Sequence, residues 1–362
     1  MDFRLDDEQE MIVQTIRRFA DRDLRGWAAD ADRAGAPPER LHAMAAELGF
    51  FLDAVPAANA GALDGAYSHT LRALRGFELG RGCAGMAALL ETNVEPALAA
   101  RAWGTSAAQQ ALFGSLAAGG LATFAHDSRG LLEIEDTGGL RVSGKLGPTP
   151  ALAAASHVLV AAGDLLFLIA TEGLARQPIT PSGWRAAQWA TATLDAHRVP
   201  ADFVLARGEP GRTAIAAVLS WIRTSLAARA AGVATGAMEH AFAYARDRVQ
   251  FGQPIGTFES LIRLRDDALT GASAARLMAL YAAWAIDTSA PDAADAASRA
   301  RVHAGDVVAR ATVDALQIFG GYGFVNDYPA EKLMRDARAF EALYGDERLG
   351  RVLAAKAQAT AR

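Results

Sequence analysis

Three long Ala/Leu/Arg-rich stretches, residues 213–250, 258–286 and 292–319, constrain the fold more than any other feature of this chain. Each is longer than an average globular helix, and none is stable in water unless an apolar face is packed against a neighbour. Three such helices close together in sequence predict a helical bundle, with Pro291 marking the break between two of them. Upstream, residues 1 to about 115 also read as helices. Asp6-Asp7-Glu8-Gln9 places acids at a helix start, where they favour the positive end of the dipole. Met11, Ile12, Ile16, Phe19 and Ala20 then recur at roughly helical spacing.

Between about 120 and 205 the pattern changes. Short apolar runs at 140–143, 157–160 and 165–169 are bounded by Gly138-Gly139, Gly144, Gly147-Pro148 and Gly163-Asp164. Runs of this length between turn residues predict strands of a small β domain. The Ala-rich stretch 151–156 reads as loop. The expected organisation is mostly α with a small β domain. An N-terminal helical domain (1–116) precedes a barrel-like middle β domain (117–208), and a C-terminal four-helix bundle (209–362) follows.

Charge and cysteine usage exclude several classes. The 36 basic and 41 acidic residues leave a net charge of −5 with no basic block, so nucleic acid is not an expected partner. The single cysteine, Cys83, cannot form a disulfide within the chain and reads as a buried small apolar residue. That usage fits a reducing cytoplasm. The charged start MDFRLDDEQE predicts no signal peptide, and no run of about 18 uncharged apolar residues predicts a membrane span. The seven histidines show no metal-ligand spacing, so no metal is expected. His126 and His303 read as structural, as do Trp221 and Trp284, and Asp247 is expected to pair with Arg223 inside the bundle. There is no nucleophile elbow or Walker loop.

Two motifs are more specific. The first is Tyr244-Ala245-Arg246-Asp247-Arg248-Val249-Gln250-Phe251-Gly252-Gln253-Pro254-Ile255. The second is Gln317-Ile318-Phe319-Gly320-Gly321-Tyr322-Gly323-Phe324, followed by Glu331 and Arg335-Asp336-Ala337-Arg338. An arginine beside a glycine turn at a helix end can reach a phosphate, and clustered glycines let a ligand approach the backbone. Either motif alone reads equally well as a helix end. Together, and with Met1-Asp2-Phe3 and Val199-Pro200-Ala201, they make the whole chain resemble the acyl-CoA dehydrogenases. The resemblance implies FAD as cofactor and an acyl-CoA as substrate, with electron-transferring flavoprotein as acceptor. It also implies that Arg248, Phe251, Gln317, Gly320 and Gly321 bind the adenosine-diphosphate part of the FAD of a neighbouring subunit.

The chain departs from that family where its chemistry is done. The family's reaction removes an α-proton with a carboxylate while the β-hydrogen leaves as hydride. Counting from Arg335-Asp336-Ala337, the position of that glutamate is Tyr344, a phenol of ordinary pKa about 10. The alternative base position, before Arg223, is Ile222. Flavin-ring contacts are missing as well. Thr123–Gly130 keeps little of the family's pattern, and Pro148-Thr149-Pro150 stands where a tryptophan is usual, although Thr149 resembles a displaced remnant. The residues kept are those the family lends across an interface, and the residues lost serve a subunit's own site. The expectation is a non-catalytic subunit of an α2β2 acyl-CoA dehydrogenase that shares FAD with a homologous catalytic chain. Two alternatives stand beside it: a self-sufficient dehydrogenase with an unconventional base such as Glu347, and a non-redox protein binding acyl-CoA or a partner on the same fold.

Overall fold

The computed structural model describes residues 4–136 and 138–344. Seven helices come first: α1 (Asp7–Phe19), α2 (Arg25–Ala34), α3 (Arg40–Glu47), α4 (His69–Gly82), α5 (Ala84–Leu90), α6 (Val94–Trp103) and α7 (Ser106–Ala117). The acidic start of α1 is a capping box. The Gln9 N–H donates to the Asp6 carboxylate at 2.8 Å, and the Asp6 N–H donates back to the Gln9 side chain. The buried stripe of α1 runs through Val13, Ile16 and Phe19 and on to Ala20, while Met11, expected on it, is exposed. Five residues from Ile16, Met11 lies about 140° round the helix and off the stripe.

The middle segment folds into β1 (Leu121–Asp127), β2 (Leu132–Asp136), β3 (Leu140–Thr149), β4 (Ala155–Ala162), β5 (Leu165–Ala170), β6 (Ala175–Pro178), β7 (Ala190–Val199) and β8 (Val204–Ala206). These form two four-stranded sheets, ordered β1-β4-β5-β8 and β2-β3-β7-β6. Their inner faces share one core, with Val160 and Phe167 from the first meeting Val142 and Leu194 from the second. Ala155 and Ser156, expected in a loop, belong to β4. Ala155 pairs with Leu121, a partner 34 positions upstream that local pattern does not reveal.

Then come α8 (Gly208–Asp247), the short hairpin of β9 (Val249–Gln250) and β10 (Gln253–Pro254), α9 (Glu259–Asp287), α10 (Ala293–Phe319) and α11 (Ala330–Ala342). Alanines supply much of the bundle interior, among them Ala227, Ala231 and Ala234 of α8, Ala275, Ala279 and Ala283 of α9, and Ala300, Ala304 and Ala311 of α10. α9 is long and apolar enough by composition to cross a membrane. In the fold its alanine side packs in the bundle, and Leu277 and Tyr281 stay exposed.

α4 ties the two helical regions together. The Asp287 carboxylate, at the end of α9, accepts from the backbone N–H groups of His69 at 2.8 Å and Thr70 at 2.9 Å. The His69 ring is buried between Tyr67 and Trp221. Burial, helped by nearby Arg72, lowers its pKa to about 3. A histidine held below its unfolded value of about 6.5 favours folding fully above that pH, and the contribution is lost as pH falls from about 6.5 toward 3. Between pH 7 and pH 4 the loss from His69 is expected to be about 3 kcal/mol. Urea midpoints of the native chain and of His69→Phe at both pH values measure it, and an equal pH response in both would refute the assignment.

Candidate functional site

Three spaces in the molecule bear on ligand binding. The first is a groove of about 500 Å³ at the far end of α8, lined by Tyr244, Arg248, Gln250, Ile255 and the turn from Ile318 to Tyr322 with Val325. α8 stops at Asp247, and the extended backbone of Arg248 turns the chain into the β9–β10 hairpin. The Arg248 guanidinium lies 5.5 Å over the Tyr322 ring and has no carboxylate partner among the described residues. Tyr322 is steadied in turn by edge contact with Tyr328, and Tyr244 stacks on Phe319.

The glycines of this turn have separate jobs. Gly320 ends α10 with φ +57° and ψ −133°, a conformation closed to other residues. At Gly323 a Cβ would come within 2.8 Å of the Leu316 carbonyl oxygen, so only glycine lets the turn fold back on α10. Gly321 faces open space in the groove, with nothing within 4 Å of where its Cβ would stand.

The structure thus brings Arg248, Gly320 and Gly321 together on one groove. Phe251 and Gln317 do not line it. Phe251 sits at the hairpin tip, 94% exposed, touching Phe258 edge-on. Gln317 is exposed on the last turn of α10, and its carbonyl accepts the Gly320 N–H. Gln250 and Tyr322 line the groove although the sequence motifs gave them no role. Exposed apolar residues ring it: Val249, Phe251, Tyr322, Phe324 and Val325.

The second space is a cleft of about 480 Å³ between the β domain and α11, with Tyr344 at its inner end. Pro148 and Thr149 line this cleft and Thr123 the cavity behind it, yet the threonine hydroxyls are used within the chain. Thr123 donates to the Pro150 carbonyl at 2.8 Å, and Thr149 to the Gly147 carbonyl at 3.0 Å. Pro148 has no N–H to offer. Arg223 also lines the cleft, but it does not pair with Asp247 as expected. Its Nε donates to the Tyr344 carbonyl at 3.1 Å, and its guanidinium is 3.5 Å from Ser298 Oγ. A side chain on the same helix six turns away cannot reach it; Asp247 lies 24 residues further along α8.

Tyr344 occupies the position where the sequence comparison placed a missing glutamate. Its hydroxyl donates to the Phe124 carbonyl at 2.6 Å, and its ring stacks on Phe124 with centroids 5.3 Å apart. Burial pushes this hydroxyl above the ordinary tyrosine range, and Glu95 adds to the effect. It is a neutral donor, not a base. Ile222 faces the same region and offers no titratable group. Glu347, Asp346 and Gly345 lie outside the described residues.

The third space is a cavity of only about 40 Å³ behind Tyr344, bordered by α4, α6 and α8. Three buried ion pairs border it, among them Arg72 to Glu91 at 3.7 Å. Arg72 grips Glu95 with contacts of 2.6 and 3.2 Å, and Arg229 donates to Glu91 at 2.7 Å. Ser225 adds a third contact, donating to Glu91 at 2.7 Å. Burial alone would raise the Glu91 carboxyl, but Arg72, Arg229 and Arg75 more than reverse this and hold it below the usual range. Motif reading missed this cluster. Its one local trace is acid at 91 and again at 95, one turn apart, inside an otherwise apolar stretch. Among the described residues no three His, Cys, Asp or Glu side chains are placed to hold a metal ion.

Comparison with known proteins agrees with this architecture. Residues 6–120 match the model of the acyl-CoA dehydrogenase N-terminal domain, and residues 209–358 that of the acyl-CoA dehydrogenase C-terminal domain. A probable acyl-CoA dehydrogenase of Mycobacterium tuberculosis is 37% identical over 44% of this chain; the match spans 41% of that protein, about two fifths of its length. A probable acyl-CoA dehydrogenase of Bacillus subtilis is 29% identical over 98% of this chain and 99% of its own. The solved structure of butyryl-CoA dehydrogenase from Megasphaera elsdenii superposes with a TM-score of 0.89 at 25% identity, covering 99% of this chain and all of the other.

Proposed function

The chain belongs to the acyl-CoA dehydrogenase family, and on that premise we propose that it is the non-catalytic subunit of a heteromeric, FAD-dependent acyl-CoA dehydrogenase. In this reading it lends half of an FAD site to a homologous catalytic chain. One contrast carries the reading. Position 344 holds a neutral phenol bonded to Phe124, which cannot take the α-proton of a thioester, while the groove beside Arg248 is open and its guanidinium has no acid partner among the described residues.

The adenosine-diphosphate part of FAD fits that groove. A diphosphate suits the fork of Arg248 and the close backbone at Gly320-Gly321. Phe251, projecting at the hairpin tip, and Gln317, exposed beside it, suit contact with a ligand bound mainly to a neighbour. The flavin ring does not fit this chain's own cleft, where Pro148 cannot donate and the Thr149 hydroxyl is engaged, as is that of Thr123 behind it. FAD, when bound, supplies the acceptor for the hydride. The ring contacts and the α-proton base are assigned to the partner chain. An α2β2 assembly, an acyl-CoA substrate, electron-transferring flavoprotein as acceptor and a cytoplasmic location belong to the same proposal.

Co-expression with a homologous chain that carries the family glutamate tests it. The expected result is a mixed complex with one FAD per pair of chains that oxidises an acyl-CoA, and a colourless protein when this chain is purified alone. Purification alone with one FAD per subunit and acyl-CoA oxidation would overturn the proposal in favour of a self-sufficient enzyme. A chain colourless in both states points to the non-redox binding protein.

A further inference from the structure

Leu343 and Tyr344 form the wall between the outer cleft and the inner cavity, since both residues line both spaces. A thioester delivered to position 344 from the outer cleft has only the inner side left for its acyl group. That side is narrow and charged. About 40 Å³ remains, and its border carries four charged side chains that are nearly inaccessible: Arg72, Glu91, Glu95 and Arg229. Two cations meet two anions, so the set is neutral and offers no leftover charge to an ionic ligand.

The cage is not fully satisfied from within. Arg72 Nε, Arg229 Nε, Glu91 Oε1 and Trp184 Nε1 are buried without a hydrogen-bond partner among the described residues, Arg72 Nε lying 3.7 Å from Glu91 Oε2, and all four belong to residues lining the cavity. A polar space larger than the ~10–15 Å³ that one water needs, with unpaired donors and an acceptor at its border, is a water site. A methylene chain entering it would have to displace that water and part the ion pairs, with nothing polar to give in return.

We propose that this chain carries a narrow water site, lined by Arg72–Glu95 and Arg229–Glu91, where a catalytic subunit would hold an acyl group. This chain therefore takes no acyl group of its own, and returning a carboxylate to position 344 does not make it an active subunit. The proposal deepens the non-catalytic reading and rests on it for the direction from which substrate arrives. The water site itself rests only on the cavity.

The test uses the mixed complex, first checked for one flavin per pair of chains. Tyr344→Glu in this chain is combined with a partner whose own base is replaced by glutamine. Calorimetry with the acyl-CoA that the parent complex oxidises, octanoyl-CoA where it accepts that, is expected to show one acyl-CoA per pair of chains. Turnover is expected to stay at the level of the base-less complex. A second binding event, or turnover restored to within about tenfold of the parent (about 1.4 kcal/mol), overturns the proposal. Because Tyr344→Glu can disturb folding, a high-resolution crystal structure of the unmodified chain, alone or in complex, gives an independent reading. At least one ordered water bonded to Glu91 and an arginine supports the site, and a dry cavity or an acyl group in it overturns it. A chain that purifies alone with its own flavin overturns the non-catalytic reading, and the crystal density still decides the water site.

Discussion

In the mixed complex, Arg248→Ala is expected to weaken FAD binding by about 10- to 100-fold, the worth of a lost charge-assisted hydrogen bond. The effect is large because, among the described residues, no carboxylate pairs with the guanidinium, which lies 5.5 Å over the Tyr322 ring. That face holds the fork over the groove without neutralising it. The same geometry makes the substitution mild for folding. Arg248 is half-buried at the end of α8, and its backbone N–H still donates to the Tyr244 carbonyl in the variant. Flavin-free stability should therefore change by no more than about 0.5 kcal/mol. Arg248→Lys keeps the charge and loses the fork, so it should recover only part of the affinity. Flavin-fluorescence titration of the three complexes measures this order. Equal affinity for the alanine variant and the parent would refute a phosphate role for Arg248, and with it the half-site reading.

How much of this was legible in the sequence follows from how local each feature is. Long helices with alanine faces, the acidic helix start at Asp6 and strands bounded by glycine and proline are short-range patterns, and they stand where the sequence places them. The groove was partly legible, because Arg248 and Gly320-Gly321 sit at helix ends whose turn residues announce them. Its lining by Tyr322 was not, since a tyrosine between glycines looks the same whether its ring faces solvent or an arginine. The loss of a base at 344 could be counted along the chain. What fills the space could not, because Arg229 meets Glu91 across 138 residues and Tyr344 meets Phe124 across 220. Arg223 shows the opposite error. An expected partner on its own helix gave way to the Tyr344 carbonyl, because helix geometry places Asp247 out of reach.

The position of Tyr344 in turn depends on α11, and Asp336 is what holds α11 down. The Asp336 side chain is fully buried, accepts the Trp184 backbone N–H at 2.7 Å and contacts the buried Lys332 ammonium at 2.5 Å. Burial alone would lower the lysine's pKa; Asp336, with smaller help from Cys83, reverses this and raises it. Asp336→Ala leaves that ammonium unpaired and orphans the Trp184 N–H. The expected loss is about 3–5 kcal/mol of folding stability, the cost of breaking a buried pair by removing one partner. Lys332→Met alone should cost less, because the carboxylate keeps the Trp184 N–H. The double variant Asp336→Ala with Lys332→Met removes both charges and should regain part of the loss, so the two substitutions couple strongly instead of adding. Urea unfolding of the four proteins gives the coupling energy from midpoints and slopes. If the losses simply add, Lys332 is held by its surroundings and not by Asp336. Asp336 would then hold α11 through the Trp184 N–H alone, beside the part-buried Arg335 guanidinium that bridges Asp32 and Glu331.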